Sequence, residues 1–185
     1  MLVPRTCSAI AEFEDASSSN EKDRAPTGSM GKVSWQAPSN GVYKATCDAA
    51  LNPLSEGIGI GMVIRDQDGR VKVAQSSFCS GRFDPITAEA LAAVLTLRFC
   101  TEVGLEKVRL EGDAKNVVGA LNSLEANWSR IGYIAADAKV LLPTFTHWEV
   151  QYVSHDTNFA AHNLAKLAAQ LGIKIVDCIS EIIRV

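Results

Sequence analysis

Between Val42 and Ser77 the chain offers three strand-like stretches with no helix-length segment between them, and this most constrains its fold. They are VYKATCDAA at 42–50, GIGIGMVIR at 57–65 and VKVAQSS at 71–77. Asn52-Pro53-Leu54-Ser55-Glu56 and Asp66-Gln67-Asp68-Gly69 connect them with turn-forming residues. Connections this short cannot carry a crossover, so the stretches pair antiparallel as a meander. The period then changes. Leu91, Val94, Leu95, Leu97 and Phe99 crowd a helix over Thr87–Val103, with Gly104 as its C-cap. Lys107–Gly112 alternates with Val108 and Leu110 inward, and a helix follows around Val117–Leu121. Another helix runs from Ser129 to Leu142, stopped by Pro143; Trp148, Val150 and Tyr152 alternate in a last strand, and a last helix covers Phe159–Leu171. The order β-β-β-α-β-α-α-β-α predicts an α/β fold: a mixed five-stranded sheet, three antiparallel strands then two parallel, with helices on both faces.

A chain of 185 residues accommodates one domain with a substantial core. Residues 16–31, ASSSNEKDRAPTGSMG, have no apolar period and cannot bury enough surface to offset ordering. Residues 1–32 are therefore expected to be a disordered tail or linker and 33–185 the domain, with Trp35 its first large anchor. No apolar run approaches the ~18 residues of a membrane span. The N-terminus has no continuous apolar core and meets Glu12, Glu14 and Asp15 early, unlike a secretory or transit signal. Five cysteines are scattered without metal-ligand or disulfide spacing. An intracellular location, in nucleus or cytoplasm, is the expectation. Gly57, Gly59 and Gly61 precede no helix, which argues against a nucleotide loop and for close backbone packing within a strand.

Charges stand where apolar segments normally exclude them. Asp48 lies inside the first strand, Glu89 opens the first helix pattern and Asp113 closes the fourth strand. An isolated buried carboxylate is costly, so acids in such places usually bind something. An acid in a helix's first turn is also favoured by the helix dipole, by ~0.3–1 kcal/mol, so Glu89 alone has a structural explanation. Together the three acids predict a site for hard divalent cations at one sheet edge.

Five segments in order carry a family resemblance: Cys47-Asp48-Ala49-Ala50, the meander from Gly59 through Gly69, Ala88-Glu89-Ala90-Leu91-Ala92-Ala93, Glu111-Gly112-Asp113, and Asn158-Phe159-Ala160-Ala161-His162-Asn163-Leu164-Ala165-Lys166. Over about Trp35–Val185 the chain resembles a type 1 ribonuclease H domain, and more narrowly the plant reverse-transcriptase-like, retrotransposon-related branch. The resemblance implies a ribonuclease H-like fold and a metal-dependent endoribonuclease that cuts the RNA strand of RNA–DNA hybrids. It implies Mg2+ as cofactor, with Mn2+ as a substitute, held by Asp48, Glu89 and Asp113, Asp48 bridging two ions. His162 stands where many members have a fourth acid, and imidazole suits softer ions better than Mg2+. His155 lies near the place of a loop histidine that handles protons in active members.

The implied partner is the hybrid, bound by a monomer and read through duplex shape and 2′-hydroxyls. Candidate contacts are Ala49, Ala50, Asn52, Asn116, Asn158 and Lys166, with Lys44, Arg82 and Lys115 as further phosphate contacts. The net charge is −3, of which the first 30 residues, with three bases against five acids, hold −2. A near-neutral domain predicts modest, salt-sensitive affinity. The competing reading is a binding or interaction module that kept the fold after losing efficient chemistry.

Overall fold

The computed structural model describes residues 36–52, 54, 56–125 and 129–173, and the backbone of 175–178. The expected tail at 1–32 lies outside the described residues, all of which belong to the compact unit Trp35–Val185. The elements are β1 (Tyr43–Leu51), β2 (Gly57–Arg65), β3 (Val71–Ser80), α1 (Pro85–Glu102), β4 (Lys107–Gly112), α2 (Lys115–Asn122), α3 (Arg130–Leu141), β5 (His147–Tyr152), α4 (Phe159–Leu171) and β6 (Ile175–Cys178). Pro143 turns the end of α3 into a 3-10 turn at Leu142–Thr144.

The strands order as β5-β4-β1-β2-β3-β6. β1, β2 and β3 pair antiparallel, whereas β4 runs parallel to β1 and β5 parallel to β4, which is the mixed five-stranded sheet the sequence predicts. A sixth strand, which the sequence reading did not reach, extends the edge: β6 runs antiparallel to β3 from Val73↔Cys178 to Ser76↔Ile175.

Strand alternation divides the sheet between two layers. Ala45, Cys47, Ile58, Ile60, Ile64, Val108, Leu110 and Val150 form the core with Leu97 of α1, Leu121 of α2 and Ala138 of α3. The other face carries Asp48 and Ala50 opposite Gly61 and Gly59, and α4 packs over β2, β1 and β3 there. A Cβ on Gly61 would lie 2.0 Å from the Ala161 carbonyl oxygen, and one on Gly59 1.9 Å from that of Ala165. Only glycine permits so close an approach. The inward stripe of α4, Ala161, Ala165, Ala168 and Ala169, is correspondingly small and buried. Ser76 Oγ donates to the Leu164 carbonyl at 2.7 Å and Asn52 Nδ2 to that of Ala169 at 2.5 Å. These contacts fix the height and rotation of α4 above β1.

Helix α1 begins earlier than its apolar pattern predicts. Asp84 caps it by accepting from the Thr87 backbone N–H at 2.9 Å and the Thr87 hydroxyl at 2.6 Å, and Pro85 supplies a preset first residue. Glu89 is then the fifth helical residue. The dipole effect fades beyond the first turn, so it no longer accounts for this acid.

Candidate active site

The β1–β4 pairing ends at Thr46↔Glu111, while β4 stays paired with β5 as far as Gly112↔Tyr152. Asp48 and Asp113 sit just beyond that last β1–β4 pair, where the two parallel strands part. Open α/β sheets characteristically bind ligands there. Glu89 reaches the same place from α1, and one carboxylate oxygen each from Asp48, Glu89 and Asp113 lie within 4.8 Å of one another. Asp48 is buried; the other two are half-buried.

Burial first, and then the nearness of other carboxylates, disfavour charge on Glu89 and Asp48. Burial raises Glu89 from 4.5 to about 8, helped by repulsion from Asp48 and Asp113 and opposed by a hydrogen bond from the Ala49 backbone N–H. Burial also raises Asp48 from 3.8 to about 6; a hydrogen bond from His162 opposes this and repulsion from Asp113 adds to it. A bound cation would offset both shifts by offering opposite charge to the acids. The donors are hard oxygens, gathered from three elements without enclosing the site, and so fit Mg2+, which keeps several waters.

Two imidazoles complete the cluster. His162 Nδ1 lies 2.8 Å from Asp48 Oδ2, and His155 Nδ1 lies 2.8 Å from Asp113 Oδ2. With the carboxylates as acceptors, each ring donates through Nδ1 and turns Nε2 away from the acid it touches. The rings meet edge to face with centroids 4.3 Å apart. His162 is half-buried on the second turn of α4, whereas His155 is exposed in the β5–α4 loop. All five residues expected at the catalytic centre thus come together: Asp48, Glu89, Asp113, His155 and His162.

The expected nucleic-acid contacts divide. Ala49 and Ala50 follow Asp48 along β1 and are half-buried, Asn116 is exposed in the first turn of α2, and Lys166 is exposed on α4. Lys115 is exposed beside Asn116, its Nζ 4.9 Å from the centre of the Tyr152 ring. Asn52 is engaged within the protein: besides its bond to α4, its Oδ1 accepts from the Leu54 N–H at 2.7 Å. Arg82 is exposed and pairs with Glu56.

Two expectations are corrected by burial. Asn158 is only 1 % exposed, out of reach of a duplex. Lys44 is 3 % exposed and ion-paired at 2.9 Å to Glu111, so it is no phosphate contact. That pair joins β1 to β4 and escaped the sequence reading. Its signal was the one that exposed the acids: Lys44 and Glu111 are charged residues inside apolar strands.

The five strands β3-β2-β1-β4-β5, antiparallel and then parallel, with helices on both faces, match the ribonuclease H-like fold. Solved structures agree. Ribonuclease H1 from Halobacterium salinarum superposes with a TM-score of 0.64 at 24% identity, covering 70% of this chain and 98% of that one. The N-terminal ribonuclease H domain of a Mycobacterium tuberculosis protein gives 0.62 at 19% identity, covering 70% and 94%. LC11 ribonuclease H1, isolated from compost by a metagenomic approach and solved in complex with an RNA/DNA hybrid, gives 0.62 at 16% identity, covering 70% and 98%. No curated relative matches the chain. Residues 46–168 match the reverse transcriptase-like family, and the chain belongs to that family.

Proposed function

We propose that this protein is a divalent-cation-dependent endoribonuclease that hydrolyses the RNA strand of RNA–DNA hybrids. One observation carries the reading: carboxylates from β1, α1 and β4 converge within 4.8 Å at the parallel seam of a ribonuclease H-like sheet. Family membership and the fold shared with a hybrid-bound ribonuclease H1 support the substrate class. Asp48, Glu89 and Asp113 would hold Mg2+, with Mn2+ as a substitute, and His162 stands beside Asp48 in the place of a fourth acid. A pair of such ions supplies an activated water and charge stabilisation for the leaving oxygen of an in-line displacement.

The protein's own groups supply the rest. Asp48 accepts on both carboxylate oxygens, from Asn158 at the N-cap of α4 and from His162 within it, which holds its orientation beside Glu89 and Asp113. His155, exposed and oriented through Nδ1 by Asp113, is placed to pass a proton at its Nε2 to or from the scissile linkage. Ala49 and Ala50 allow the hybrid's backbone to approach, while Asn116, Lys115 and Lys166 offer polar and cationic contacts to sugars and phosphates.

His162 keeps a second reading open, a binding module of weak activity, since imidazole is a poorer Mg2+ ligand than carboxylate. One assay separates the two. The purified chain is incubated with labelled hybrid, double-stranded RNA and double-stranded DNA, each in Mg2+, Mn2+ or EDTA. Metal-dependent cleavage confined to the hybrid's RNA strand is expected. Hybrid binding without cleavage in either metal would favour the module.

A further inference from the structure

Asn158 is among the most buried large polar residues of the protein, and its side chain is aimed at the site. Its Nδ2 donates to the Cys47 carbonyl at 2.9 Å and, over 3.4 Å, to Asp48 Oδ1. The first of these bonds lies just past Thr46↔Glu111, where the β1–β4 pairing stops. The amide enters the seam where the two strands part to leave room for the acids. Its orientation is set by chemistry: reversing it would face Oδ1 against a carbonyl oxygen. The Asn158 backbone is held too. Its N–H donates to the Ser154 and His155 carbonyls at 3.1 and 3.0 Å, and its own carbonyl accepts from the His162 N–H at 3.1 Å.

We infer that Asn158 is a positioning residue for the cation site, not a contact for nucleic acid. It clamps Oδ1 of Asp48 while His162, one turn further along the same helix, takes Oδ2 at 2.8 Å. The carboxylate at the centre of the cluster is gripped on both oxygens from one helix turn, so its direction follows the docking of α4. Among the described residues, Asn158 Oδ1 has no hydrogen-bond partner. Groups that orient metal ligands typically control affinity by ~10–100-fold without touching the metal.

This inference rests on the reading of Asp48, Glu89 and Asp113 as cation ligands, and the test keeps the two apart. Mn2+ binding is titrated by electron paramagnetic resonance on the nucleic-acid-free chain, for wild type, Asn158→Asp, Asn158→Ala and Asp48→Asn. Hybrid affinity is measured separately in Ca2+. Asn158→Asp and Asn158→Ala are expected to weaken Mn2+ binding by at least ~10-fold while hybrid affinity changes less than twofold. Unchanged Mn2+ affinity with weakened hybrid binding would overturn the inference in favour of a substrate contact; a lowered melting temperature with Mn2+ affinity intact would overturn it in favour of a purely structural role. Mn2+ binding by Asp48→Asn equal to wild type would refute the metal-site reading itself. Should both Asn158 variants fail to fold, the wild-type side-chain amide resonance decides. A positioning group shifts on adding Mg2+ alone and stays put when hybrid is added at constant Ca2+; the reverse pattern refutes the inference.

Discussion

Gly61→Ala tests the packing on which the whole site depends. A methyl group at position 61 would sit 2.0 Å from the Ala161 carbonyl oxygen and 2.5 Å from the Ala165 nitrogen, both backbone atoms of α4. Non-bonded contacts settle near ~3.5 Å, so the helix must withdraw from β2 by about 1.5 Å. No side-chain rotation can relieve this clash. Overpacking costs about 1–3 kcal/mol where side chains can adjust, and a rigid backbone places this case at the upper end. Gly61 also pairs with Asp48, and His162 follows Ala161. A retreat of that size breaks the 2.8 Å contact between His162 and Asp48, so activity falls along with stability. Urea denaturation measures the first effect and hybrid cleavage, well below the midpoint, the second. Gly119→Ala provides the contrast, because a Cβ there meets nothing within 4 Å in helix α2. It is expected to stabilise by up to about 1 kcal/mol through helix propensity. A Gly61→Ala protein within about 0.5 kcal/mol of wild type and fully active would refute the reasoning.

The other predictions concern charge. Because Glu89 titrates at about 8 when folded against 4.5 as a free group, and Asp48 at about 6 against 3.8, the unfolded chain releases these protons first as pH rises. In EDTA their contribution is therefore fully present below about pH 4 and is lost progressively up to about pH 8. Melting temperatures across that window are expected to fall more steeply for wild type than for Glu89→Gln, and parallel curves would contradict the raised value. Lys44→Met leaves Glu111 buried without its cation and is expected to cost about 3–5 kcal/mol, whereas Lys44→Met/Glu111→Leu recovers most of it; an equal loss in both by urea titration would show that the ion pair is not the issue. His162→Asp supplies a harder ligand and is expected to raise Mg2+-supported cleavage more than Mn2+-supported cleavage. An unchanged ratio of the two rates would remove His162 from the ligand set.

The parts of this architecture that could be read in the sequence are those written in local pattern. Strand alternation, the Asp66–Gly69 turn and the apolar period of α1 each depend on near neighbours, and they were enough for three antiparallel strands followed by two parallel ones, though not for the order in which the strands lie. The acids were legible for a related reason. Asp48 and Asp113 break an apolar pattern, and such a break has few explanations. Asn158 was misassigned because an asparagine before a helix is ordinary on any surface; only the depth of α4 against β1, set by Gly59 and Gly61 some 100 residues earlier, buries it. Lys44 and Glu111 were misread or missed for the same cause, since their partnership spans two parallel strands that the sequence places far apart. The start of α1 was missed because its signal is polar: Asp84 and Pro85 act as cap and first residue, outside the apolar period that revealed the helix. That shift takes Glu89 beyond the first turn, where the helix dipole no longer accounts for it. A functional site in this fold is therefore visible in sequence as charge that violates a local pattern, while the residues that aim it become visible only when backbones meet.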